Sequence, residues 1–380
     1  MKRDKLLIMA GCVLCLAAGV ALFVIMLKPE RELMTLPTEQ DLSHHPVYST
    51  YRFSLPEGVV RIGIQPFWVY GANIAEAMRH DRLLSQDLAS LGLRAEFHSF
   101  LKGPDINFFM EMEQLDVGMS GYLPTLKMTT LQDIQVPAAI DRNFYDFIAE
   151  NCFTIKDLEG KTIGFPQGSD AHHALVEALE LTDTKARLVP MDLDEMLKTM
   201  RDGRLDACIA WEPITSLILS ENRNARVVYR SLWVSFLYFR GEFAKMHPQA
   251  VRSFLVSQAR AIHWIKADPD NLTLSSRWAI DACKELTPDP LPFSLADFVK
   301  RSRGAAALSG TPLVFDANLA EGQFLHNAFT FMKKERMISD DAEWQKTCAM
   351  FDTKLMRTIL GDPLKWRLEE FDYEIQENRT

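Results

Sequence analysis

Four short stretches carry the residue types best suited to binding chemistry. They are Gly168-Ser169-Asp170-Ala171-His172, Ser120-Gly121, Trp211-Glu212-Pro213 and Gln65-Pro66-Phe67-Trp68. In the first, a short apolar run precedes Ser169 and a helix-forming run follows it. Ser169 therefore suits an N-cap, and free first-turn N–H groups with the helix dipole make an anion site there. Ordinary capping accounts for the motif equally well. Asp170 would oppose an anion at that spot, so it is expected to face outward. Ser120 offers a hydroxyl beside Gly121, a residue that lets a backbone approach closely. Trp211 offers an aromatic face for an apolar body, and Glu212 accepts from an amine or orients a neighbouring donor. A tryptophan plugging an interface is the alternative, since Trp is usually well buried. Gln65, Phe67 and Trp68 supply one amide and two aromatic faces, a set for recognition rather than catalysis, with core packing of both rings as the alternative.

Catalytic and metal signatures do not appear. The chain has no G-x-S-x-G elbow, no G-x-x-x-x-G-K-[ST] loop and no H-E-x-x-H pair. His44-His45 and His172-His173 are adjacent pairs, which do not project together from a helix as i and i+4 would. No enzyme activity, cofactor or metal is expected. The formal net charge is −9 with no basic stripe beyond the first five residues, which argues against nucleic acid as a partner.

These stretches sit where strands give way to helices. Val59 to Ile64 reads as a strand, followed by a helix from about Ala72 to Leu91. Arg94 to Phe100 and Asp116 to Met119 read as strands on either side of a helix that starts near Gly103-Pro104 and runs to about Gln114. Pro124 suits the first turn of the next helix. The rhythm then restarts. Lys161 to Phe165 is a strand and Asp170 to Leu181 a helix; Arg187 to Pro190 is a strand and Leu193 to Arg201 a helix; Leu205 to Ala210 is a strand. Strands separated by helices make βαβ units in an α/β fold. Two such series in roughly 350 residues imply two lobes, with post-strand loops lining a cleft between them. Cys152, Cys208, Cys283 and Cys348 lack zinc-ligand spacing and read as free buried thiols.

The N-terminus is of a different kind. Leu6 to Leu27 is an uncharged apolar run of 22 residues, about 33 Å as a helix, enough to cross a bilayer. Lys2, Arg3 and Lys5 precede it and hold residues 1–5 on the cytoplasmic side, so the remainder lies outside. Val20 to Leu27 stay apolar past the small Ala17, Ala18 and Gly19, which favours an uncleaved anchor over a cleaved signal. A lipid on Cys12 or Cys15 is a further alternative. Residues 28–57, with Pro29, Pro37, Pro46 and Pro56, read as a linker.

The order and spacing of several segments carry a family likeness. "VRIGIQ", "GLRAEFHSFLKGPDINFFMEMEQLDVGMSGYLP", "DLEGKTIGFPQGSDAHHALVEAL", "GRLDACIAWEP" and "VSFLYFRGEFAKMHPQAVRSFLVSQARAIHWIKADPDN" together resemble the solute-binding proteins of nitrate, sulfonate and taurine ABC transporters, from about Val59 to about Leu360. The resemblance implies a two-lobed type II periplasmic-binding fold, here preceded by one transmembrane helix. Lobe 1 would hold residues 58–145 and 232–380, and lobe 2 residues 146–231. It implies Gln65, Phe67, Trp68, Ser120, Gly121, Gly168, Ser169, His172, Trp211 and Glu212 as ligand-facing. The implied partners are a small organic ligand and a membrane permease, at an inner membrane with the C-terminal domain in the periplasm. Pro66, Phe67 and Trp68 suit a ligand with an apolar or aromatic part. No arginine lies in the named loops, which favours an organic sulfonate over bare nitrate; Arg142 and Arg240 are the remaining candidate cleft cations. Two other readings remain: a tethered sensor acting through a protein partner, and a carrier of thiamin-precursor pyrimidine. The cysteine-rich signature of the related pyrimidine-making enzyme is not present.

Overall fold

The computed structural model describes residues 42–53, 58–287 and 293–374, and the expected anchor at residues 6–27 lies outside them. Among the described residues no helix is long and apolar enough to cross a membrane. The chain divides after Ser49 into two units. The described part of the first holds a 3-10 turn, Leu42–His44, and a stack of His45 on Tyr48 with centroids 4.1 Å apart.

The second unit is built on one eight-stranded sheet with the order β2-β1-β3-β8-β4-β7-β5-β6. The strands are β1 (Val59–Ile64), β2 (Arg94–Ser99), β3 (Val117–Gly121), β4 (Ile134–Glu150), β5 (Thr162–Phe165), β6 (Arg187–Pro190), β7 (Ala207–Ala210) and β8 (Ala225–Arg240). β1 pairs in parallel with β2 and β3, and β5 in parallel with β6 and β7. Each parallel trio is closed by an antiparallel partner: β3 by β8 and β7 by β4. The two trios are thus copies of one arrangement, joined where β4 and β8 run antiparallel along each other for most of their length. No short apolar strand would do this; both strands must be long enough to serve both halves.

Helices α1 (Gly71–Arg79), α2 (Arg82–Ser90), α3 (Gly103–Glu111) and α4 (Tyr122–Leu131) belong to the first half. α5 (Asp170–Leu181), α6 (Leu193–Arg201) and α7 (Ile214–Glu221) belong to the second. After β8 come α8 (Gly241–Met246), α9 (Pro248–Ala267), α10 (Pro269–Cys283) and α11 (Leu295–Ser309). Val60, Ile62 and Ile64 point from β1 into the core at 0–1% exposure, each worth about 1.5–3 kcal/mol of apolar burial.

The helix expected from Ala72 to Leu91 is two helices. It breaks at Asp81, whose Oδ1 accepts from the amides of Leu83 and Leu84 and so restarts the chain as α2. Both Asp81 oxygens also accept from Arg260 of α9 at 3.0 Å, in an ion pair with no exposure on either side. Asn73 on α1 donates to Ser275 and Ser276 of α10 and accepts from Ser302 of α11, so this polar contact between helices is satisfied. The four cysteines expected to be free are free; Cys152, Cys208 and Cys283 are buried and Cys348 is half-buried.

Candidate functional site

The carboxyl ends of β1, β3, β5 and β7 turn toward one place, as expected for ligand loops of α/β sheets. Gln65, Trp68, Gly103, Ser120, Gly121, Pro124, Tyr145, Ser169, Asp170, Trp211 and Trp233 surround a cavity of about 20 Å³ there. That is room for about one water, far below the roughly 300 Å³ at which small-molecule pockets begin. The halves are closed upon each other.

Several contacts hold them so. Trp211 Nε1 donates to the Phe67 carbonyl at 2.6 Å, and the Val69 amide donates to the Glu212 carbonyl at 3.2 Å. Tyr122 and His173 share a hydrogen bond of 2.7 Å between Oη and Nδ1. Lys102 at the start of α3 pairs with Asp192 at the start of α6.

Asp170 makes the most consequential of these contacts. It was expected to face outward, and it is 1% exposed and turned inward. Its Oδ1 accepts from the Leu123 amide at 2.6 Å, and its Oδ2 from the Tyr122 amide at 3.0 Å and the Tyr145 hydroxyl at 3.1 Å. A carboxyl from the second half thereby fills the N-terminus of α4, where first-turn N–H groups and the helix dipole favour negative charge. Burial pushes its pKa up to about 7, against the pull of the bonds from Leu123, Tyr145 and Tyr122.

A second carboxyl lies in the same region. Asp141 stands where the β4–β8 register shifts between Ala139 and Arg142. The irregularity leaves its amide to donate to Ser235 Oγ, while its oxygens accept from Ser235 Oγ at 2.6 Å and Trp68 Nε1 at 3.1 Å. Burial raises Asp141 to about 7 as well, opposed by the Ser235 and Trp68 hydrogen bonds. Around these acids is an aromatic cluster. Tyr145 stacks on Trp233 at 5.4 Å and meets Trp211 edge-on at 5.5 Å, and Trp68 lies 5.7 Å from Trp233. Trp233 Nε1 is buried without an acceptor.

Of the ten residues expected to face a ligand, six surround the cavity: Gln65, Trp68, Ser120, Gly121, Ser169 and Trp211. Gln65 Nε2 donates to the Met119 carbonyl, which fixes the amide in place. Ser169 stands at the N-cap of α5, but its hydroxyl donates to the Pro166 carbonyl and makes no capping bond.

The other four are placed elsewhere. Phe67 is 1% exposed in the core and presents only its carbonyl, to Trp211. Gly168, at φ 75°, packs against Pro104 and serves the turn. His172 is buried 4.7 Å from Phe165 and 6.2 Å from Phe331, and this apolar surrounding lowers its pKa to about 4. Glu212 turns to the first turn of α7, where it accepts from the Ser216 amide and hydroxyl, with Arg301 3.5 Å away.

Neither candidate cation reaches the cavity. Arg142 lies over the Phe315 ring, and Arg240 pairs with Asp116 and Glu242. Tyr145, Trp233 and Asp141 were missed because they come from the middle of β4 and β8 rather than from post-strand loops. The one sequence signal for them is aromatic and acidic residues inside otherwise apolar strands. Among the described residues no cluster of three His, Cys, Asp or Glu side chains is placed to hold a metal.

Comparison with known proteins agrees with the likeness read from the sequence. Residues 113–272 match the family model described as NMT1/THI5 like. No curated protein matches the chain. Among solved structures, the alkanesulfonate-binding protein SsuA from Xanthomonas axonopodis pv. citri, bound to MOPS, superposes with a TM-score of 0.61 at 17% identity. It covers 78% of this chain and 99% of its own. A putative sulfonate ABC transporter periplasmic sulfonate-binding protein from Methylobacillus flagellatus KT gives 0.62 at 17%, over 84% and 98%. The periplasmic nitrate-binding protein NrtA from Synechocystis PCC 6803 gives 0.59 at 10%, over 82% and 92%. All three are binding proteins by name rather than enzymes. With two copies of one strand arrangement joined by two long crossover strands, and an NMT1/THI5-like segment at residues 113–272, this chain has the generic periplasmic binding protein fold.

Proposed function

We propose that the chain is an extracytoplasmic solute-binding protein of an ABC importer. In this reading residues 6–27 anchor it in the inner membrane as a single pass, and residues 58–380 stand in the periplasm. The lobes, 58–145 with 232–380 and 146–231, close on a small organic solute, and the closed form is what the membrane permease reads. Tethering raises the binder's local concentration at that permease. No covalent step is assigned.

The observation that carries the reading is the convergence of four post-strand loops and two crossover strands on one aromatic, hydrogen-bonding cavity. Because that cavity admits only about one water, capture requires the lobes to part and reclose around the solute. Two ligand chemistries divide the proposal. A sulfonate or taurine-like anion follows from the resemblance and from what the neighbouring structures bind. A pyrimidine of the thiamin-precursor kind is favoured by a specific observation: one buried carboxyl, Asp170, lines the cavity, a second, Asp141, lies behind Trp68, and no Lys or Arg is among the lining residues.

The test is a thermal-shift screen of the full-length chain in detergent, against aliphatic and aromatic sulfonates, taurine, nitrate and thiamin-precursor pyrimidines. A solute at about 100 times its Kd stabilises the fold by about 2.7 kcal/mol, a shift of a few degrees. A shift with one class names the ligand chemistry, and no shift with any overturns the solute-capture reading for these classes.

A further inference from the structure

We propose that Asp170 is the specificity-determining residue of the cleft. By seating its own carboxyl on the N-terminus of α4, it turns away solutes whose binding group is an anion and admits those presenting a cationic or N–H donor group. The inference rests on the solute-capture reading above and adds the ligand class to it.

Three observations place Asp170 in this role. First, the Tyr122 and Leu123 amides are first-turn donors of a ten-residue helix, and both already bond to Asp170, at 3.0 and 2.6 Å. They are the donors a solute anion would need. Second, the fit leaves no space for an alternative. Gly121 presents its backbone to the carboxyl so closely that a Cβ there would lie 2.0 Å from Asp170 Oδ2. Third, the rest of the lining does not restore an anion site. Asp141 adds another buried carboxyl behind Trp68, and no Lys or Arg lines the cavity. Two buried donors of the lining, Trp233 Nε1 and Ser120 Oγ, have no hydrogen-bond partner; both are uncharged, and they offer a neutral ligand acceptor donors to meet.

Lobe opening does not remove the competition. Asp170 travels with its own half when the lobes part and returns to the Tyr122 and Leu123 amides when they reclose, so as a tethered group it competes with a solute anion for those donors in the closed form. A sulfonate would have to displace it and then lie beside it, and like charges so juxtaposed are strongly disfavoured. A solute amine or ring N–H gains instead, because Asp170 has lone pairs available for a donor once the lobes part.

The experiment titrates propane-1-sulfonate and 4-aminopyrimidine into the full-length wild type, Asp170→Ser and Asp170→Asn, reading tryptophan fluorescence. Asp170→Ser empties the helix N-terminus. Asp170→Asn removes the charge, keeps an acceptor for the amides, and serves if the serine variant does not fold. Propane-1-sulfonate is expected to bind Asp170→Ser at least about tenfold tighter than wild type, with Asp170→Asn between them. 4-Aminopyrimidine is expected to show the opposite order. Wild-type binding of the sulfonate within threefold of both variants overturns the proposal while leaving solute capture intact. Sulfonate binding to none of the three, with the pyrimidine bound by wild type, also overturns it, since Asp170 would not be what excludes the anion. Silence from both probes in all three proteins overturns the proposal together with the reading beneath it.

Discussion

Gly121→Ala tests whether the Asp170 contact is what keeps the cleft shut. Gly121 has φ −63° and ψ 171°, extended geometry that alanine adopts without strain, so any effect comes from the methyl group alone. That methyl would lie 2.0 Å from Asp170 Oδ2 and 2.6 Å from its Cγ, both well inside the 3.4–4 Å of ordinary contact. Asp170 has a short side chain pinned by three hydrogen bonds, so it cannot yield without giving up its amide partners. At about pH 8, above the raised pKa of Asp170, the carboxyl is ionised; hydrogen bonds to an ionised group are worth about 1.5–3 kcal/mol net, so losing two at the lower figure costs the closed form about 3 kcal/mol. That moves the closed-to-open ratio by roughly 150-fold. Hydrogen exchange at the Tyr122 and Leu123 amides should speed accordingly, and small-angle scattering should show a larger radius of gyration. The double variant Gly121→Ala with Asp170→Ala has room for the methyl, so the second change should cost much less after the first. Unchanged exchange at both amides with an unchanged scattering profile would refute the clasp.

Other outcomes are equally specific. Asp141 has its pKa raised from 3.8 to about 7, so the folded state holds a proton that the unfolded state releases between about pH 4 and 7. Stability therefore falls as pH rises through that window and levels off above it. Asp141→Asn, which can still accept from Trp68 and donate to Ser235, should lose this fall; melting wild type and variant at pH 6, 7 and 8 measures it, and parallel pH profiles refute it. Comparing the two proteins also cancels the opposite trend from His172 and His173, whose lowered pKa values cost stability on acidification. Arg260→Leu leaves Asp81 buried without its cation and should cost about 3–5 kcal/mol, read as a lower urea midpoint with the slope preserved; a change under about 1 kcal/mol would mean that Asp81 is otherwise compensated. Trp211→Phe keeps an aromatic ring but leaves the Phe67 carbonyl without its donor. It should lower stability by about 1 kcal/mol and weaken any solute's effect on fluorescence; wild-type quenching in the variant would place Trp211 outside the ligand contact.

Much of the architecture is legible because short parallel strands and amphipathic helices leave strong local patterns. β1, β6, α5 and α6 fall where alternation and capping residues place them. The break at Asp81 was hidden because its cause, Arg260, lies 179 residues away in sequence. β4 was hidden for another reason. It is 17 residues long and carries Pro137, Asp141, Arg142 and Asp146, since it passes from one half to the other and its surroundings change on the way. Site residues on loops after strands were accessible by rule, whereas Tyr145 and Trp233 enter from the strands themselves. Asp170 was misjudged by a sound generalisation, that a carboxylate is unfavourable beside a bound anion. The generalisation fails here because the partner is the end of a helix 48 residues upstream, and backbone N–H groups leave no trace in a residue string.

The pairing of Glu150 with Ala225 also has a consequence for how the chain is made. Residues 151–224 leave and re-enter the sheet at neighbouring points, so β5, β6 and β7 with their helices lie wholly between the two crossover strands. During synthesis that segment is complete in sequence before the ribosome reaches Ser235 to Phe239, the stretch that must slot beside β3. The N-terminal trio therefore waits, with the open edge of β3 unpaired, until its closing strand arrives. Pulse proteolysis of nascent chains stalled so that residue 230 has just cleared the ribosomal exit tunnel should find β5 to β7 protected and β1 to β3 still cleavable. The reverse order would mean that the first half finds another partner for its edge.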